Sequence, residues 1–319
     1  MQLAVLLLCL LAVGCANGQG SVRKDARKDR PRDSERPARP DDVVRQKTGL
    51  EKQFEEIARK SGGRVGVRAM LLATGETFSL NENERFPMQS VYKLPIAMAV
   101  FGRIEAGTIK LEQMLRIGGG EVLKGSTALP AEKYPDGTER SVEELLGLMV
   151  SESDNTASDA LLRLAGGPRE VMNYLKKLGI NDMVVANFEK EMHADWQAQY
   201  RNYATPSAAV ELLRAIDEAN GISPPNKTRL LKFLTESPTG PRRLKGLLPE
   251  GAVVAHKTGT SATRNNLTPA TNDIGILTLP DGRRFAIAVF VADSSADQAT
   301  REETIARITR AAWTYWSEK

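Results

Sequence analysis

The apolar positions open with an almost unbroken run from Leu3 to Val13, ending in Ala12-Val13-Gly14-Cys15. A finished bilayer-spanning helix takes about 20 apolar residues, so this shorter run reads as the apolar core of an export signal. From Ala16 to Lys47 large apolar side chains almost vanish, and Arg, Asp, Pro and Ser dominate. Such a segment cannot bury enough surface to offset its chain entropy, which predicts a disordered tether over 16–47. Periodicity begins at Leu50, Phe54, Ile57 and Ala58, the spacing of a helix that Gly62-Gly63 would stop. Val65, Val67, Ala69 and Leu71 then alternate as a strand, and Thr74-Gly75 turns the chain into a second, Thr77 to Leu80. From about Phe86 to Lys245 the pattern is mostly helical, broken by Gly and Pro. Strands return at Val253 to Lys257, Asp273 to Leu279 and Arg284 to Ala292, the last two joined by Pro280-Asp281-Gly282. A final amphipathic helix, Ala296 to Trp316, aligns Ile305, Ile308, Ala312 and Trp316 on one stripe. This order predicts an α/β (α+β) domain over 48–319. One antiparallel sheet would be built from both ends of the chain, with a helical middle inserted and the site where the two parts meet.

Composition changes this picture in two places. The chain has 319 residues with 44 basic and 40 acidic side chains, a net charge of +4 that could suggest a nucleic-acid partner. Ten basic and six acidic residues of that total lie in 16–50, and the first fifteen residues carry none, so the folded part is neutral. The positive charge belongs to the tether, and no nucleic-acid partner is expected. Both cysteines, Cys9 and Cys15, lie in the signal region, and the only histidines are His193 and His256. The body therefore has no thiol nucleophile and too few ligands for a Cys/His zinc site, so neither metal nor cofactor is expected. A Ser-His-Asp triad would have to use one of the two histidines.

Three short motifs carry candidate chemistry. Ser90-Val91-Tyr92-Lys93 leads into the apolar stretch Leu94 to Phe101. Three residues along a helix stack two side chains, so Lys93 can reach the Ser90 hydroxyl and activate it. The Ser90 backbone N–H, at a helix start, is free to bind an oxyanion. Ser153-Asp154-Asn155 lies within helical text from Leu145 to Leu164, and Lys257-Thr258-Gly259-Thr260 ends a strand. Each motif alone reads equally well as a solvated pair, a helix cap or a strand exit. Their order and separations, 63 and 104 residues, make the combination specific.

In these motifs the chain resembles the class A serine β-lactamases, within the penicillin-binding, transpeptidase-like proteins, over about residues 48–319. The resemblance implies a five-stranded antiparallel sheet flanked by the N- and C-terminal helices, with a mostly helical lobe. It implies hydrolysis of penicillins and cephalosporins, hence antibiotic resistance, by a monomer without cofactor. Ser90 would be acylated, Lys93 would serve as neighbouring base or relay, and Ser153 would pass a proton to the lactam nitrogen. Asn155 would orient the substrate amide. Lys257, Thr258 and Gly259 would line the substrate-carboxylate end, and the N–H groups of Ser90 and Thr260 would form the oxyanion hole. The alternative within the same resemblance is a penicillin-binding protein or carboxypeptidase that deacylates slowly.

A lactamase needs a base that directs water onto the acyl-enzyme. The local text is Asn187-Phe188-Glu189-Lys190-Glu191-Met192-His193. Glu189 with His193 fits the family spelling E-x-x-L-N, with Met and His for Leu and Asn, and resembles the extended-spectrum, PER-type subgroup. Glu191 is the competitor if the loop is longer. His193 would stand as a neutral imidazole beside that water, while His256 reads as a strand residue with no chemistry. Arg243 falls where the family places an arginine behind the carboxylate site, with Arg242 as alternative. The family's Arg–Asp pair across the loop has no evident counterpart. Small residues before Cys15 resemble a lipoprotein processing box, so export to the periplasm is expected. Cys15 is either a lipid anchor or incidental.

Overall fold

The computed structural model describes residues 48–319, and the readings made for 1–47 lie outside the described residues. α1 (Gly49–Ala58) starts under a capping box. Glu51 N donates to Thr48 Oγ1 at 3.3 Å, and Thr48 N to Glu51 Oε2 at 2.9 Å. Gly62, at φ +64°, ends this segment where the Gly pair predicted a stop. β1 (Arg64–Leu71) and β2 (Thr77–Leu80) follow as an antiparallel pair.

The middle holds β3 (Phe86–Pro87), α2 (Lys93–Glu105), β4 (Met114–Gly118), β5 (Gly137–Ser141), α3 (Val142–Val150) and α4 (Asn155–Leu164). It continues with α5 (Pro168–Lys177), β6 (Met183–Val184), α6 (Glu189–Ala194), β7 (Tyr203–Ala204), α7 (Pro206–Asp217) and α8 (Pro224–Thr235). The chain then returns through β8 (Val253–Thr260), β9 (Thr268–Thr278) and β10 (Arg284–Ser294) to α9 (Gln298–Ser317). The main sheet has five strands in the order β2-β1-β10-β9-β8, all antiparallel to their neighbours, so it is indeed built from both ends of the chain.

Three details depart from the periodicity. β8 runs on to Thr260 and β9 begins at Thr268, five residues before the predicted start. Polar Thr268, Thr271, Asn272 and Asp273 hide that strand from a pattern search, yet all four are fully buried. The helical middle also contains two small sheets, β4-β5 and β3-β7-β6. Finally, Ser153-Asp154-Asn155 is a break between α3 and α4 and does not lie inside one helix. Asp154 caps α4 by accepting from Ala157 N at 2.8 Å, and Ser153 adopts φ +58°.

The sheet divides two cores. On one face Leu50, Phe54, Val254, Phe285, Ile305 and Trp316 pack under α1 and α9. On the other, Ala255, Ile274 and Phe290 meet the helical lobe through residues such as Phe86, Val91 and Leu94. β8 is an outer strand, and its Gly259 touches the turn before α2. A Cβ there would lie 2.3 Å from Met88 O, so only glycine lets the two approach. Phe54 has no exposed surface and pins α1 to the sheet. Phe54→Ala is expected to cost about 3–5 kcal/mol in denaturant unfolding, whereas exposed Lys52→Ala costs under about 0.5 kcal/mol. Similar losses for the two variants would contradict this packing.

Candidate active site

Ser90 lies in a single 3-10 turn, Gln89–Tyr92, that runs directly into α2. Gln89 adopts φ +48°, turning the chain between β3 and that helix. Lys93 follows one turn later and is wholly buried. Its Nζ donates to Asn155 Oδ1 and Ser153 O, both at 2.6 Å, and to Ser90 Oγ at 3.1 Å. Ser153 Oγ is 3.5 Å away, and Glu189 Oε1 completes an ion pair at 3.2 Å. An ammonium has three N–H donors, so five acceptors share them, and small rotations re-aim a proton among them. The motif break between α3 and α4 is what delivers two of these groups. The left-handed backbone of Ser153 turns both its carbonyl and its hydroxyl toward Lys93, and Asn155 begins the next helix.

Lys257 reaches the same point from β8, donating to Ser153 Oγ at 2.9 Å and to Thr258 O at 3.2 Å. Burial, and then repulsion from Lys93, push its pKa well below the usual lysine range, with Asp273 and Glu189 pulling the other way. Ser90 Oγ, Lys93 Nζ, Ser153 Oγ and Lys257 Nζ thus form a connected row. Thr258 Oγ1 donates to Thr239 Oγ1 at 2.8 Å, and Thr239 and Ser237 hydroxyls meet at 2.9 Å. Ser261 N bonds Ala270 O at 3.0 Å, which makes Thr260 and Thr271 a pair without ladder bonds between them. The Thr260 N–H therefore points away from β9, over the open edge of β8, the side on which the turn bearing Ser90 lies.

Arg243 is buried behind this edge. Its NH1 donates to Asn272 O at 3.0 Å and Gly259 O at 3.3 Å, its NH2 to Thr260 Oγ1 at 2.7 Å, and its Nε to Glu302 at 3.4 Å. Arg242 instead lies mostly in solvent against the same Glu302. Of the two glutamates in the loop, Glu189 is buried against Lys93. Glu191 is exposed and caps α6, accepting from Phe188 N at 2.8 Å and Asn187 Nδ2 at 3.1 Å. His193 is one turn beyond Glu189 on α6, exposed, with no hydrogen bond among the described residues.

Sequence reasoning missed two groups that hold this loop. Asp159 is one turn after Asn155 on α4, a spacing that could have flagged it. Its carboxylate accepts from Glu189 N at 2.7 Å and Lys190 N at 3.1 Å. Burial lifts its pKa to about 6 against the pull of those two N–H groups. The absent Arg–Asp pair is replaced by a neutral amide: Asn202 Oδ1 accepts from Ala186 N at 2.7 Å and Asn187 N at 2.9 Å. Its Nδ2 donates to Asn187 O at 3.0 Å. No spacing signals Asn202, because the backbone groups it holds lie fifteen or sixteen residues away. No cluster of His, Cys, Asp and Glu able to hold a metal occurs among the described residues.

Ionised Asp159 is the better acceptor. Burial nonetheless makes the closed loop favour the neutral carboxyl, so the opening that hydrates Asp159 becomes costlier as pH falls through about 6. Protection of the Glu189 and Lys190 amides against hydrogen exchange should then rise, after correction for intrinsic rates. Asp159→Asn should show no such step. A flat profile in the unmodified protein would contradict the assignment.

Residues 49–316 match the model of a family described as the beta-lactamase enzyme family. The chain is 38% identical to beta-lactamase VEB-1 of Pseudomonas aeruginosa, covering 86% of this chain and 92% of that one. It is 41% identical to extended-spectrum beta-lactamase PER-1 of the same organism, covering 85% and 88%. A beta-lactamase structure from Chitinophaga pinensis DSM 2588 superposes with a TM-score of 0.82 at 43% identity, covering 84% of this chain and 100% of that one. The TLA-1 extended-spectrum beta-lactamase gives 0.81 at 40%, covering 84% and 98%.

Proposed function

We propose residue roles for a chain that belongs to the β-lactamase enzyme family: it is a class A serine β-lactamase, a hydrolase that opens β-lactams through an acyl-enzyme. Ser90 Oγ attacks the lactam carbonyl, and the N–H groups of Ser90 and Thr260 receive the developing oxyanion. Lys93 first hands a proton to Glu189, at 3.2 Å, and the neutral amine then takes the Ser90 proton across 3.1 Å. Ser153 Oγ protonates the departing lactam nitrogen and is resupplied by Lys93, which recovers its proton from Glu189, so the carboxylate is ionised again before deacylation. Asn155 orients the substrate amide, while Lys257, Thr258, Thr260 and Arg243 define the carboxylate end. Gly259 keeps that end against the turn bearing Ser90.

Hydrolysis of the ester then needs a base on the other side. Glu189 takes that part, removing a proton from water as it attacks the acyl carbon, after which Ser90 leaves with a proton returned through Lys93. His193, one turn away, lines the same approach. The observation that carries this reading is the convergence of Ser90, Ser153, Asn155 and Glu189 on the buried amine of Lys93. Substrates are penicillins and cephalosporins. The likeness to PER-1 and TLA-1, both named extended-spectrum enzymes, supports the bulkier cephalosporins as well. The chain acts as a monomer and confers antibiotic resistance. No helix among the described residues is long and apolar enough to cross a membrane. Residues 1–15 direct export to the periplasm, with Cys15 as the lipid attachment point and 16–47 as tether.

Turnover of a chromogenic cephalosporin tests the roles. Ser90→Ala should abolish it. Glu189→Gln should slow deacylation by about 10³-fold and leave one acyl group on Ser90 by mass spectrometry. Trapping by Glu191→Gln, with Glu189→Gln turning over freely, would move the base to the other glutamate.

A further inference from the structure

β8 and β9 carry a pair of titratable side chains that the reaction above leaves idle. His256 and Asp273 have no exposed surface, and His256 Nδ1 lies 2.9 Å from each Asp273 oxygen. His256 stands opposite Gly275, where an added Cβ would come within 2.9 Å of His256 Cβ and 2.7 Å of Ala255 O. Glycine at that position is what admits the imidazole. His256 Nε2 is buried without a hydrogen-bond partner among the described residues. A proton there would find no acceptor, so the ring carries its proton on Nδ1 and donates it to Asp273.

Asp273 extends this contact to the substrate side. Its Oδ2 accepts from Leu244 N at 3.2 Å, which fixes the turn over 240–245. The neighbouring Arg243 on that turn holds Gly259 O, Asn272 O and Thr260 Oγ1. Side chains alternate along β8, so His256, Thr258 and Thr260 share the α9 face and Lys257 points to the other. Four charged groups act on Lys257: Lys93 and Arg243 repel it, Asp273 and Glu189 attract it. Lys245 also feels Asp273, and Glu302 faces Arg243.

We propose that the His256–Asp273 pair is a positioning device for the carboxylate end of the site. Asp273, oriented by His256, fixes Arg243 and Thr260 through Leu244 N and sets a negative charge behind Lys257 across the sheet. This rests on the placement of the substrate carboxylate at Lys257, Thr258 and Thr260. In it Asp273 touches no substrate; it acts through groups that do.

Steady-state kinetics with a chromogenic cephalosporin and its carboxyl methyl ester test the pair. Unmodified protein should prefer the acid in KM; equal KM values would overturn the carboxylate placement and this inference together. Asp273→Asn should raise KM for the acid about tenfold, with kcat within about threefold and the ester's KM within about twofold. It should also move the basic limb of kcat/KM for the acid to lower pH, since Lys257 loses an opposing charge. His256→Asn keeps a donor near the Nδ1 position and should stay within about twofold of the unmodified protein, while His256→Leu should behave like Asp273→Asn. Preserved acid preference with an unchanged limb in Asp273→Asn, or a fall in kcat for acid and ester alike, would overturn this inference alone. If Asp273→Asn does not fold by circular dichroism, the contrast between His256→Asn and His256→Leu decides, and equal behaviour overturns the proposal.

Discussion

A lysine amine sealed from water must be ringed by acceptors or give up its charge, because taking an ammonium into the interior costs several kcal/mol. Lys93 is in that position, and the architecture around it reads as the means of surrounding it. The backbone break after α3 supplies a carbonyl and a hydroxyl from Ser153, the first residue of α4 supplies Asn155 Oδ1, and the loop helix supplies Glu189. Each comes from a different stretch of chain, so the amine works as the point at which those stretches must agree. Ser90 gains its activating neighbour as a by-product of the same satisfaction. Removing any one acceptor would leave the others closer to a bare buried charge.

The supports of that ring divide by chemical type. Asp159 gives its carboxylate to the start of the loop helix, where free N–H groups favour an anion, and accepts an unfavourable burial to do so. Asn202 closes the loop's ends with an uncharged amide using both donor and acceptor. Around β8 the reverse holds: Arg243 and Lys257 are cations under the surface, balanced by Glu302, Asp273 and Glu189. The two halves of the cleft thus differ in polarity, an arrangement suited to a substrate that carries an acid at one end only.

Local patterns reached the sheet, the terminal helices and the Ser90–Lys93 pair, because each follows from spacing within a few residues. β9 was placed five residues late because its first half is polar. Thr268, Thr271, Asn272 and Asp273 are buried there by serving Thr263, Arg301, the turn at Met88 and His256. The Ser153 kink was invisible for a related reason: a left-handed non-glycine residue is held by tertiary bonds and has no sequence signature. Asp159 and Asn202 act on backbone groups far along the chain, and no periodicity encodes such partners. His256 looked inert from its place in a strand; its carboxylate partner seventeen residues on gave it a different meaning.

The pairing of β1 with β10 sets Arg64 beside Ala292 and Leu71 beside Phe285. The first strand of the domain therefore has no central neighbour until nearly the whole chain has been made. A growing or emerging polypeptide can form the α2–α5 lobe early, but Lys93 stays without its β8 companion, and Ser90 without the Thr260 N–H, until the last strands arrive. Sequence separations this large slow folding, since loop closure precedes the contacts that reward it. Catalytic competence thus appears in one late step, and a truncated or half-emerged chain holds its nucleophile in an unfinished setting.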